Sequence, residues 1–292
     1  MKQFDYAMVK DPEYFRDGRL DAHSDHVYYA SEEEVWDKET SYRESLNGLW
    51  KFQYARNYES AIPGFEAEDY NCKDWEDIYV PAHIQMEGYD APQYANVQYP
   101  WEGHEDIHPG EIPTHFNPTA SYVKYFTVPD QMKGKRLFIS LQGAESGLAL
   151  WLNGKFVGYS EDSFTPSEFE LTPYIREKDN KLAVAVFKRS SASWLEDQDF
   201  WRFSGIFRDV FLYAAPSAHV RDMKVISDYD GTNGIFSATL DIAGKCSVKS
   251  ILTDENGTVI AQSNEKESVN WTIENSKPWS AEIPNLILYN KT

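Results

Sequence analysis

"LALWLNGKFVGYS", residues 148–160, decides the fold of this chain. Two apolar, aromatic-bearing runs flank Asn153-Gly154. Asn-Gly supplies the positive φ values that a type I′ turn requires, so the stretch reads as a β-hairpin. Runs of the same texture lie on either side of it: "LWKFQYA" (49–55), "YVKYFTV" (122–128), "RLFISLQG" (136–143), "KLAVAVFKR" (181–189) and "FRDVFLYAA" (207–215). Each is short, aromatic and β-branched, and turn signals separate them, a pattern that predicts an all-β sandwich. "KLAVAVF" is apolar at odd and even positions alike, as suits a strand covered on both faces. The stretch 56–120 is rich in Pro, Gly and His with few strand signals, and a loop of that length is normally functional or held by a partner. Past Ala215-Pro216-Ser217 the aromatics thin out and shorter hairpins follow: "HVRDMKVISDYD", "GIFSATLDIAG", "SVKSILTD", "TVIAQS" and "SVNWTI". These predict a second, smaller sandwich of immunoglobulin type. That fold takes about seven strands in about 100 residues. Only five or six are legible before Thr292, so an incomplete domain is expected. Residues 1–45 are acidic and irregular and read as an extended arm. The expected division is an arm at 1–45, a first sandwich at 46–216 and a second at 217–292.

The chain has 292 residues, 41% of them hydrophobic, enough for the cores of two domains. No apolar run reaches the roughly 20 residues of a membrane span. The opening "MKQFDYAMVKDPEYFRDG" has no apolar core of a secretory signal. Cys72 and Cys246 stand far apart and read as two reduced thiols, so a cytoplasmic protein is expected. The formal charge of −19 repels phosphate backbones and anionic lipid, which argues against nucleic acid and membrane as partners. Nineteen Tyr and nine Trp, with abundant Asp, Glu and Asn, suit a neutral, hydroxyl-rich ligand. Rings cover the apolar faces of a sugar while polar groups take its hydroxyls.

Two polar clusters stand out. "HEDIH" (104–108) matches H-E-x-x-H, in which a helix presents two histidines to zinc with the glutamate beside the bound water. Gly103 precedes it, Pro109-Gly110 follow, and five residues cannot sustain a helix alone. A zinc peptidase built on His104, Glu105 and His108 is therefore a remote alternative. No Gly-rich phosphate loop and no Gly-x-Ser-x-Gly are present. In "WLEDQDFWRFSGIFRD" (194–209), Glu196, Asp197 and Asp199 raise the question of a catalytic pair. A retaining glycosidase holds two carboxyls about 5–5.5 Å apart across the scissile bond, and acids one to three positions apart on one loop rarely do so. Mutual bracing of Asp197, Arg202, Arg208 and Asp209 is the expectation, with a binding role left for one or two acids. Trp194, Trp201 and Phe203 are expected to floor the loop.

"SLNGLWKF" (45–52), "VPAHIQMEGYDAPQYANVQYP" (80–100), "NPTASYVKYFTVP" (117–129), "LWLNGKFVGYSEDSFTPSEFELTPYI" (150–175) and "WLEDQDFWRFSGIFRDV" (194–210) resemble, in order, the amino-terminal region of glycoside hydrolase family 2 β-galactosidases of the bacterial lacZ type. "WSAEIPNL" (279–286) resembles the end of that family's second domain. The resemblance implies a jelly-roll sugar-binding domain and then an immunoglobulin-like domain. In the family a (β/α)8 barrel follows and carries both catalytic glutamates, so no catalytic residue is expected in this chain. By position, Asn96, with Val97 beside it, and Asp199 are implied to bind galactose hydroxyls at the mouth of the barrel. Asp199 is further implied to help hold a sodium ion that barrel groups complete, and the full enzyme is implied to use magnesium. An ionised Asp accepting two hydroxyls makes charge-assisted bonds of about 1.5–3 kcal/mol each. The implied partners are a β-galactoside, the barrel of the same enzyme and further copies in a homo-oligomer. The expected activity is retaining hydrolysis of terminal non-reducing β-D-galactose, as in lactose. The alternative is a free-standing carbohydrate-binding or structural β-sandwich.

Overall fold

The computed structural model describes residues 3–197, 199–254, 256–264 and 267–282. The chain forms two compact units, Met1–Leu20 with Arg43–Tyr213, and Asp21–Tyr42 with Ala214–Thr292. Both are built from β-strands, and the longest α-helix, Glu32–Asp37, has six residues. Among the described residues no helix is long and apolar enough to cross a membrane.

In the larger unit a seven-stranded antiparallel sheet runs in the order Arg16–Asp17, Lys155–Ser160, Gly147–Leu152, Asn180–Phe187, Thr119–Phe126, Gly48–Ala55 and Glu76–Val80. A four-stranded sheet is ordered Ser167–Glu170, Arg136–Leu141, Val210–Ala215 and Arg43–Ser45. The Asn-Gly hairpin forms as the sequence requires. Leu152 pairs with Lys155, and the two turn residues have φ of 52° and 74°. Asn180–Phe187 is buried at every position. Ala183, Ala185 and Phe187 join a cluster with Val9, Phe65, Trp75 and Trp151. The two-residue period of a strand sends Leu182, Val184 and Val186, also buried, to the opposite face. Gly158 of the large sheet lies so close to the small sheet that a Cβ there would meet the Phe169 ring at 2.6 Å. Only glycine allows that approach.

The segment 1–45, expected as an extended arm, is divided between the units. Its first twenty residues belong to the larger one. Val9 is fully buried there, and the Phe4 ring stacks on Phe187 with centroids 5.7 Å apart. These apolar side chains cover one face of the large sheet, and Phe65, Cys72 and Trp75 from the long connection complete that cover.

The smaller unit holds a three-stranded antiparallel sheet, His219–Tyr229, Gly234–Ala243 and Ser268–Ile273, and a hairpin, Lys249–Thr253 with Val259–Asn264. Phe236, Ala238, Leu252 and Val269 form its core, with Trp271 stacked on Phe236 at 5.5 Å. An apolar cavity of about 690 Å³ opens among Val225, Phe236, Leu252 and Trp271. Of the segment 279–286, residues 283–286 lie outside the described residues.

Candidate functional site

The two stretches singled out in the sequence meet in a short ribbon. Gln93–Ala95 pairs antiparallel with Phe200–Arg202, in the register Gln93↔Arg202, Tyr94↔Trp201 and Ala95↔Phe200. Asn96 directly follows one of these strands and Asp199 directly precedes the other, so both stand at the same end of the ribbon. Asn96 and Asp199 are both exposed, and Val97 is 88% exposed. Alternation along the strands puts Tyr94 and Trp201 on the same side as Asn96 and Asp199. Two contacts agree with this. The Tyr94 hydroxyl donates to Asp199 Oδ1 at 2.8 Å, and the Tyr94 and Trp201 rings lie 5.4 Å apart. That hydrogen bond to a carboxylate is the main reason the Tyr94 phenol is pushed above its ordinary value.

The three acids of "WLEDQD" have three different fates, because the chain changes conformation at each step. Ser193–Glu196 is a helical turn, Asp197 leaves it at φ −90° and ψ 20°, Asp199 is left-handed at φ 50°, and strand begins at Phe200. Asp tolerates the left-handed region better than most residues. Glu196 turns inward and accepts from Ser163 N at 2.8 Å and Ser163 Oγ at 2.7 Å. Asp197 is buried between two guanidinium groups, with Arg189 Nη1 at 2.5 Å and Arg202 Nε at 3.3 Å. Burial pushes its carboxyl up, and Arg189 and then Arg202 pull it back. Asp199 alone of the three faces outward. Bracing is thus observed for Asp197 and Arg202 but not for the other expected pair. Arg208 donates to the Phe164 carbonyl, and Asp209 accepts from Asn47.

The ribbon rests on a buried polar wall. Arg202 has no exposed surface, and among the described residues its Nη1 and Nη2 have no hydrogen-bond partner. Lys188 pairs with Asp90, whose Oδ2 also accepts from Gln85 Nε2 at 3.0 Å. Gln85 in turn donates to Ser204 Oγ and accepts from Ser204 N, each at 2.9 Å. These bonds tie the segment before Gln93 to the segment after Arg202. Glu145 is buried beside them, and its carboxyl is pushed up to about 8, first by desolvation and then by the charge of Asp197. Trp194 is structural, since its Nε1 donates to the Glu111 carbonyl at 2.6 Å and its ring packs on Tyr99 and Trp101. Trp201, expected in the floor, is 54% exposed on the ribbon's outer side.

"HEDIH" is a turn and a bend, not a helix. The Glu105 carboxylate accepts from Thr114 N at 2.7 Å, Thr114 Oγ1 at 3.0 Å and His115 N at 3.1 Å. These bonds hold the loop together. Among the described residues no group of three or more His, Cys, Asp or Glu side chains is disposed to bind a metal ion.

Comparison with known proteins fixes the family. Residues 43–216 match the sugar binding domain of glycosyl hydrolases family 2. The chain belongs to that family. It is 49% identical to a β-galactosidase of Halalkalibacterium halodurans over 96% of its own length and 29% of that protein. It is 47% identical to a β-galactosidase of Clostridium acetobutylicum, covering 97% of itself and 33% of the relative. A β-galactosidase large subunit of Lactobacillus acidophilus shares 39% identity across 97% of the chain and 49% of the subunit. The chain therefore spans about a third of the length of the first two of these relatives. Among solved structures, a β-glucuronidase of an uncultured Clostridium superposes with a TM-score of 0.65 at 22% identity, covering 89% of this chain and 43% of that one. That likeness speaks for the fold alone.

Within this family 2 chain, sequence reasoning missed Tyr94, Gln85, Asp90, Lys188 and Glu145. Tyr94 had a signal, since it stands two residues before Asn96 and strand alternation gives the two one face. Lys188 and Glu145 had none, and the Gln85–Asp90 bond is part of a network whose other members, Lys188 and Ser204, lie about 100 residues away. Asp199 suits a hard cation such as sodium in donor type, as a carboxylate with only one oxygen engaged by a hydrogen bond among the described residues. It is a single donor, and a hard cation takes several oxygens.

Proposed function

We propose that this chain is the amino-terminal portion of a β-galactosidase that hydrolyses terminal non-reducing β-D-galactose residues, as in lactose, by a retaining mechanism. The carrying observation is the ribbon. It pairs the strand that precedes Asn96 with the strand that follows Asp199, stretches about 100 residues apart, and of the three acids it leaves Asp199 exposed, with a hydrogen bond from Tyr94 of the ribbon itself. In this reading the larger unit is a jelly-roll sugar-binding domain and the smaller one an immunoglobulin-like sandwich. Asn96, Val97 and Asp199 form one wall of the galactose site. A (β/α)8 barrel of the same enzyme supplies the opposite wall and both catalytic glutamates. Asp199 contributes one oxygen to a sodium ion that the barrel completes, the full enzyme uses magnesium, and it acts as a homo-oligomer in the cytoplasm.

The chemistry assigned to this chain is positioning. Asn96 offers both a donor and an acceptor to sugar hydroxyls, Asp199 accepts from two, and the Tyr94 hydroxyl fixes the orientation of its carboxylate. Bonds to an ionised acceptor of about 1.5–3 kcal/mol each hold the ring against the barrel's carboxyls, where small misplacements cost rate. The test is complementation. The purified chain should not turn over o-nitrophenyl β-galactoside. Mixed with or fused to the remaining part of the Halalkalibacterium enzyme, it should restore turnover. Asp199→Asn in that assembly should lower kcat/KM at least a hundredfold. Turnover by the chain alone, or an Asp199→Asn assembly as active as the parent, would refute the reading. Tight galactose binding by the chain alone would favour a free-standing carbohydrate-binding module instead.

A further inference from the structure

Beneath the ribbon lies a second cavity that the galactoside reading leaves unused. It has a volume of about 460 Å³, within the range of small-molecule sites. Its wall includes Lys188 and Arg189, consecutive residues that are 2% and 4% exposed. Each has one carboxylate, Asp90 for Lys188 and Asp197 for Arg189. Burying two adjacent cations is costly unless anions compensate them. Desolvation, and after it the neighbouring Arg189 charge, draws the Lys188 ammonium below its ordinary value.

At the same cavity stands Arg56, exposed, with its guanidinium 5.7 Å from the centre of the Phe116 ring and no carboxylate in ion-pair contact among the described residues. The other lining acid, Glu105, is fully engaged by Thr114 and His115. The acids of the wall are therefore committed, while one guanidinium with five donors is not. All this sits in a chain of formal charge −19, whose average field attracts no anion. Arg56 is thus the lining cation without a carboxylate in contact among the described residues, while Lys188 and Arg189 are each ion-paired.

We propose that this cavity binds a small oxyanion, a phosphate or a carboxylate, with Arg56 as the principal ligand. The planar fork of Arg56 suits two oxygens of one anionic group. Gln93, in the ribbon strand, lines the same cavity, so a bound anion touches the element that carries Asn96. Oxyanion binding stands independently of galactoside hydrolysis, because the chain either takes up the anion or does not, whatever sugar its parent cleaves.

The experiment is calorimetric titration of the whole chain with inorganic phosphate and, separately, with malonate, against sodium chloride of matched ionic strength. Saturable binding to one site is expected above the chloride blank, and whichever titrant produces it identifies the source of the anionic group. Arg56→Gln should weaken that binding at least tenfold. Lys73→Gln, an exposed cation outside the cavity, should leave it unchanged. Arg56 is exposed, so the variant should keep the wild-type urea midpoint, which shows that any loss is not unfolding. Absence of saturable binding by both titrants overturns the proposal, as does an Arg56→Gln chain that binds as the wild type does.

Discussion

Asp197→Asn separates a buried structural acid from Asp199, the exposed one proposed to bind sugar. Asp197 is 3% exposed and is the carboxylate of both Arg189, at 2.5 Å, and Arg202, at 3.3 Å. Asn has the same shape, so no cavity opens and no packing is lost. What is lost is the charge between two buried guanidinium groups. Arg202 has no exposed surface and no hydrogen-bond partner for Nη1 or Nη2 among the described residues, so it cannot turn to water or to another acceptor in place. Breaking a buried pair by removing one partner typically costs about 3–5 kcal/mol. That is a large part of the roughly 5–15 kcal/mol that stabilises a whole domain. With a urea slope of about 2–3 kcal/mol per molar, the midpoint should fall by about 1–2 M. The assay is equilibrium urea unfolding followed by tryptophan fluorescence, since six of the nine Trp belong to the larger unit. Asp199→Asn, two positions along, should leave the midpoint where it is. A midpoint shift below about 0.4 M for Asp197→Asn would refute the reasoning, because the guanidinium groups would then have found other acceptors.

Three other outcomes follow from the same geometry. The Glu145 carboxyl, at about 8 in the fold against an ordinary 4.5, keeps a proton that the unfolded chain has already released. Stability should therefore fall as pH rises from about 4.5 to about 8, with a slope of up to about 1.4 kcal/mol per pH unit. Glu145→Gln should match the parent at pH 4.5 and exceed it at pH 8.5, and urea midpoints at the two pH values check this. Tyr94→Phe removes the donor to Asp199 Oδ1, and in the complemented enzyme should lower kcat/KM about threefold to tenfold with no change in unfolding midpoint. Gly158→Ala would put a Cβ 2.3 Å from the Asp17 carbonyl and 2.6 Å from the Phe169 ring. Overpacking of this kind typically costs about 1–3 kcal/mol, which a thermal melt should register as a lowered midpoint.

The β character of the chain was legible because it rests on local chemistry. Asn153-Gly154 specifies its turn without help, and the unbroken apolar run of "KLAVAVF" can only be a strand with cover on both faces. The cover itself was not legible. Phe4, Tyr6 and Val9 sit in an acidic, irregular segment with no period of two or of 3.6, and only the sheet they close reveals their purpose. Nor could the sequence settle Arg208 and Asp209. Charged neighbours on a loop look like partners, yet a strand start sends alternate side chains to opposite faces, where Phe164 and Asn47 wait. The buried pair Lys188–Asp90 was invisible for the same reason, since its members are brought together only by the fold.

Under the proposed function, the placement of Asp199 suits a sugar site at a seam between two parts of a protein. A carboxylate buried like Asp197 is rigid but unreachable, and one on an unsupported loop is reachable but costs conformational entropy each time it binds. The ribbon avoids both. Its inner face is anchored by Arg202, Gln93 and the Gln85–Ser204 bonds, while its outer face carries Asp199, oriented by one hydroxyl. Even so, two charge-assisted bonds give about 3–6 kcal/mol in gross terms, whereas association alone costs an estimated 4–15 kcal/mol. A single wall built this way is thus too weak to hold a monosaccharide. It gains its value only when a facing wall has already confined the ring, so its contacts are made where they steer the reacting bond and not where they merely capture substrate.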